Sequence, residues 1–193
     1  MTQRIEPLQP PYEPQMAEML AKWMPPGSDV EPLRLFRTLA RHDWLFSRMR
    51  PLGAGILGHP RLDPRERELL ILRTCARAGA EYEWGVHVVA FARPLGLSEQ
   101  QIAASVLGAS TDPVWSDADA QLIAAADALY DADTIPDELW RELSTRLRDD
   151  QLLELVIVAG WYRLISYVIN AAGIEREPWA ERFPAGDRAR PGA

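Results

Sequence analysis

Two glutamates and a histidine stand at spacings that put them on inward helix faces. Glu83 and His87 lie four residues apart in "GAEYEWGVHVVAF" (Gly79 to Phe91), and Glu68 opens the apolar run "ELLIL" before it. A helix stacks residues four apart on one face, so Glu83, His87 and Ala90 align, with Trp84, Val88 and Phe91 beside them. On the preceding helix Glu68, Leu72, Cys75 and Gly79 share a face. If the two helices fold back as an antiparallel hairpin, Glu68, Glu83 and His87 converge in a pocket walled by Trp84, Tyr82 and leucines, with Cys75 nearby.

Spacing alone leaves three readings of this trio open. A carboxyl group in an apolar pocket is harder to ionise, and an imidazole beside a carboxylate holds its proton more tightly. Such a pair can pass protons as general acid and base, an effect of about 10²–10⁴-fold in rate. Two carboxylates and an imidazole also suit a divalent metal. The plainest reading is structural: an i,i+4 contact worth roughly 0.2–0.5 kcal/mol, with Glu68 paired to Arg65 or Arg73. Cys75 then counts as a small buried apolar residue, and the isolated His42 and His59 stay outside any site.

The elements that must hold these residues read as helices throughout. Asp63, Pro64 and Glu66 supply an N-cap, a proline in the first turn and a capping acid for "PRERELLILRTCARA", which stops at Gly79. A second helix runs on to Pro94–Gly96. Ser98 with Gln101 caps a third, Ser116 opens "DADAQLIAAADALYD", Pro136 begins "PDELWRELSTR", and a long apolar helix follows to Ile174. Upstream, one helix is expected over 32–50, and "GHPRLDP" reads as a loop. The expected organisation is a Pro- and Met-rich arm over 1–30, with one short helix near Pro14–Trp23, a helical domain over 31–175, and a polar tail over 176–193 draped on the surface or frayed. No run of alternating strands is present. The fold class is all-α.

The 193 residues are 47% hydrophobic and 25% charged, enough for one domain with a sizeable core. A formal charge of −7 argues against nucleic acid or anionic membrane as a partner. No secretory leader pattern is found, and Glu154, Arg163 and Asn170 interrupt the longest apolar stretch, so no membrane span is expected and a cytoplasmic protein is. The single cysteine excludes an internal disulfide, a dithiol pair and a multi-cysteine zinc site.

The stretch "LDPRERELLILRTCARAGAEYEWGVHVVAFARPLGLSEQQI" resembles the carboxymuconolactone decarboxylase family, which includes the alkylhydroperoxidase D-like proteins. The resemblance is clearest from Phe36 to Leu107, and the region to Ile174 is similar to the second half of longer members. It implies an alkylhydroperoxidase D-like bundle of helix hairpins assembled as a homo-oligomer, a trimer or hexamer. The peroxidase branch of the family carries a glutamate, a Cys-x-x-Cys pair and a histidine. In that register the glutamate falls at Glu68, the histidine at His87 and the two cysteines at Ala80 and Glu83. Acid and histidine are kept and both thiols are missing, which puts thiol peroxidase activity in doubt. The "EYEWxxH" form is similar to the decarboxylase branch. That implies cofactor-independent loss of carbon dioxide, or a related proton transfer, on a small carboxylated lactone or organic acid, with no metal. His87 would donate the proton, Glu83 would orient it, and Glu68 would be a second acid–base or positioning group, while Trp84, Tyr82 and Cys75 would line the substrate pocket. The alternatives are an alkylhydroperoxidase D-like thiol peroxidase and a non-catalytic oligomeric module.

Overall fold

The computed structural model describes residues 2–25, 27 and 30–186. Met1, Pro26, Ser28 and Asp29 of the expected arm and residues 187–193 of the expected tail lie outside the described residues. Among the described residues the chain is all-α: α1 (Pro14–Ala21), α2 (Arg34–Leu39), α3 (Asp43–Gly58), α4 (Pro64–Arg77), α5 (Glu81–His87) continuing into a π turn (Val88–Ala92), α6 (Glu99–Leu107), α7 (Asp117–Ala132), α8 (Asp137–Ser144) and α9 (Asp149–Ala172).

The centre is α4. Every residue from Arg67 to Cys75 is buried, the pattern of a helix surrounded on all sides. Its start is fixed as the sequence predicts, with the Asp63 side chain accepting from the Arg65 and Glu66 amides and Pro64 in the first turn. Gly79, at φ +66°, lets the chain reverse into α5. The caps at Ser98 and Ser116 also form, the first as a reciprocal box with Gln101.

A ladder of ion pairs sets the relation of α4 to α7. Arg65 pairs with Asp119 and Arg73 with Asp127, at 2.7 and 2.6 Å, and Arg77 pairs with Asp131 one turn further on. Partners are 54 positions apart in each case. A constant offset means that the two helices run parallel, in one register. Arg73 is thereby committed to structure, with a further hydrogen bond to the Gly108 carbonyl, and neither it nor Arg65 approaches Glu68.

Three sequence expectations change. The helix expected over 32–50 is two helices, broken at Ala40–His42, where the His42 imidazole accepts from the Leu45 amide. The second continues through Pro51 to Gly58. Both Pro51 and Ser47, whose carbonyl loses its helical donor, face solvent, so water can replace the lost bond. The tail is docked rather than draped. Glu177 is buried, accepting from Tyr82 Oη and from the Arg34 amide that opens α2, and the Glu181 amide donates to the Gly85 carbonyl. Finally, α9 reaches membrane-spanning length with a mean hydropathy of 1.7 despite its polar residues. Its apolar surplus has a closer use, because Leu152, Leu155, Val158, Tyr162, Ile165 and Ile169 are buried in the core.

Candidate active site

The hairpin of α4 and α5 brings the trio together. His87 Nδ1 lies 2.7 Å from Glu68 Oε1, and His87 Nε2 lies 3.5 Å from Glu83 Oε1. Glu68 is fully inaccessible, and His87 and Glu83 are buried. Burial alone would drive the proton off His87. The Glu68 carboxylate, by charge and hydrogen bond, and then Glu83 outweigh it and raise the imidazole from 6.5 to about 10. The second carboxyl oxygens, Glu68 Oε2 and Glu83 Oε2, are buried with no hydrogen-bond partner.

His87 and Glu83 face a cavity of about 550 Å3, the size of a small-molecule site. Glu68 does not reach it and stands behind the imidazole. The two acids are placed differently from the expectation: Glu68 is the carboxylate bonded to Nδ1 of His87, and Glu83 is the acid that borders the cavity. The walls come from six parts of the chain: Trp23 from the arm, Phe36 from α2, Gly53 from α3, Phe91 from the π turn, Trp161 and Ile165 from α9, and Trp179 from the tail. The π turn directly follows His87 and carries Phe91, whose ring lies 4.9 Å from the imidazole. Such one-turn π segments tend to occur at functional sites. Tyr162 meets the other side of the ring edge-on, also at 4.9 Å. Gly53 makes room for two of the indoles, since a Cβ there would stand 3.0 Å from Trp161 and 3.4 Å from Trp23. The remaining charges in the wall are Lys22, paired with Glu18, and Arg50, whose Nε donates to the Lys22 carbonyl.

None of the three expected pocket residues lines this cavity. Trp84 is packed in the core, its Nε1 donating to Ser105 Oγ and its ring against Phe183. Tyr82 spends its hydroxyl on Glu177 and the Leu35 amide. Cys75 is fully buried, and burial together with the Glu83 carboxylate pushes its thiol well above the ordinary range. The hairpin points these side chains away from the opening that His87 faces. Among the described residues no group of three or more His, Cys, Asp or Glu is disposed to hold a metal ion.

The sequence profile of the carboxymuconolactone decarboxylase family matches residues 45–128, a span that contains Glu68, Glu83 and His87. Residues 45–128 belong to that family. No curated protein matches the chain. Solved structures share the fold of this chain at low identity. A protein from Silicibacter sp. TM1040 described as peroxidase-related is 14% identical with a TM-score of 0.78, covering 94% of this chain and 96% of its own. The debrominase Bmp8, in complex with 2,3,4-tribromopyrrole, is 15% identical with a TM-score of 0.70, covering 93% and 94%. A protein of unknown function from Agrobacterium tumefaciens, described as a putative antioxidant defence protein AhpD, is 20% identical with a TM-score of 0.65, covering 72% and 94%.

Proposed function

We propose that this chain is a cofactor-independent acid–base enzyme of the carboxymuconolactone decarboxylase type, acting by decarboxylation or a related proton transfer on a small carboxylated lactone or other small organic compound. The observation that carries the reading is the three-part line Glu68–His87–cavity. A carboxylate without access to solvent holds Nδ1, and the same imidazole borders the cavity beside Glu83. In this reading the carbanion formed as carbon dioxide leaves is protonated by His87, the imidazole regains its proton from solvent water after product release, and Glu83 holds the substrate. A family fold that in Bmp8 accommodates a small halogenated ring supports a small-molecule site here. Peroxide reduction through a thiol lacks support, because the only cysteine is sealed and its thiol held protonated.

The test is carbon dioxide release, measured across a panel of unsaturated lactone acids and simple organic acids, with the native chain and His87→Ala. Activity should vanish in the variant while its thermal midpoint shows a folded protein. Full activity in His87→Ala would end the assignment.

We also propose self-association. Leu153, Val156, Ile157, Leu164 and Tyr167 form an exposed stripe along α9 at helical spacing, larger in apolar content than a solvated face requires. Light scattering should give a mass above one chain for the native protein and a lower one for Leu153→Glu with Tyr167→Glu. A native protein that runs as a single chain removes this proposal.

A further inference from the structure

The hydrogen-bonding balance at the inner end of the cavity points to what can bind there. Glu83 Oε2 is a buried acceptor with no donor among the described residues, on a residue that lines the cavity, and such an atom is costly until a donor reaches it. The ligand that completes this end brings an O–H or N–H. Apart from Lys22 and Arg50 the rest of the wall is largely apolar, with the rings of Trp23, Phe36, Trp161 and Trp179 in it.

Two proton-carrying groups face that donor together, Glu83 and His87, 3.5 Å apart. We propose that the cavity takes the enol of an apolar ring compound, with its O–H received by Glu83 Oε2, and interconverts it with the ketone. Glu83 accepts the hydroxyl proton as the C=O bond forms, and the electron pair of the C=C bond takes a proton from His87 Nε2 at carbon. The proton then passes from Glu83 to His87 across their contact and restores the site. One proton leaves oxygen and one arrives at carbon, so no co-reactant is required. The reverse sequence makes the enol from the ketone. This rests on the acid–base reading above and adds a substrate class and a division of labour between the two residues.

The experiment uses 2-tetralone, a neutral two-ring ketone, in heavy water, following loss of its α-proton signals by proton NMR. 2-Naphthol serves as a planar mimic of the enol that cannot ketonise, and naphthalene as the same shape without a donor. The native chain should accelerate exchange, and 2-naphthol should inhibit at least about tenfold more tightly than naphthalene. Glu83→Gln, checked as folded by circular dichroism, should lose both the acceleration and the preference for 2-naphthol. No acceleration by the native chain overturns the proposal, as does a Glu83→Gln protein that exchanges normally. Exchange lost in His87→Gln but kept in Glu83→Gln would leave His87 as an acid–base group and remove only the enol relay. Exchange kept in His87→Gln removes both.

Discussion

Nδ1 of His87 and Oε1 of Glu68 meet at 2.7 Å in a place that water does not reach, 19 residues apart in the chain and on the two arms of one hairpin. The contact holds the ring by Nδ1 and leaves Nε2 toward Glu83, at 3.5 Å. In the proposed reading Glu68 acts through His87, as a positioning residue. In Glu68→Gln the amide keeps the volume and loses the charge. The imidazole, now near 10, should titrate closer to its ordinary 6.5, and the alkaline limit of the pH–rate profile should move down with it. Imidazole NMR signals in the variant read this directly, and a His87 that still titrates near 10 would show that Glu68 is not the cause.

The same contact gives the stability a pH dependence of definite sign. The folded state holds the His87 proton more tightly than the unfolded chain, 10 against 6.5. The stabilisation is therefore complete below about pH 6.5 and declines as the pH rises toward 10. Cys75, Tyr82 and Tyr162 are all held protonated by burial and add alkaline losses of their own, from their ordinary values of 9.0 and 10.0 upward. The window from pH 6.5 to 9 thus belongs to His87. Across it the melting midpoint of the native chain should fall relative to His87→Gln; parallel curves would mean that the buried imidazole carries no extra proton.

Cys75 should be silent toward reagents. Its side chain is fully buried and its thiol pushed up by burial and the Glu83 carboxylate, so a thiol-specific dye at neutral pH should label it only at the rate of global unfolding. Cys75→Ala should keep turnover and lose a modest part of the stability, on the order of 1 kcal/mol for a small cavity. Rapid labelling of the native chain would contradict the sealed position.

Gly85 is the crossing point of α5 and the tail. A Cβ there would stand 2.1 Å from the Glu181 carbonyl oxygen, and that carbonyl cannot swing aside as a side-chain tip can. Gly85→Ala should push the tail away, with the loss of the Glu181 bonds to Gly85 and Arg93 and a cost of roughly 1–3 kcal/mol. Limited proteolysis should then cut between residues 175 and 186 long before the core opens. An uncut tail and an unchanged urea midpoint would refute this.

The trio was legible in the sequence because its determinants are local. Helical spacing aligned Glu83 with His87, and Asp63 and Gly79 fixed the ends of the hairpin that carries Glu68 across to them. The division of roles between the two acids was not legible. It depends on which one ends behind the imidazole, and a helix rotation of a few tens of degrees decides that. The pocket wall was misassigned for a related reason. Trp84 and Tyr82 are neighbours of the site in sequence, but Trp23, Trp161 and Trp179 reach it only through tertiary packing. A hint was present in Gly53, a small residue that leaves space for two indoles, but its partners lie 30 positions before it and 108 after it. The α4–α7 ladder was equally hidden, because nothing in the spacing of Arg65 and Arg73 reveals that Asp119 and Asp127 stand opposite them, 54 positions on.

Trp23 and Trp179 border the same cavity from positions 156 apart in the chain. During synthesis the histidine and both glutamates emerge early and can pair as soon as their hairpin forms. The wall cannot close until Trp179 has left the ribosome and the tail has crossed Gly85. Until then the cavity lacks one of its walls. The acid–imidazole pair is local and its shelter is not, so small-molecule binding should report the completed fold, and not merely the presence of the helical hairpin.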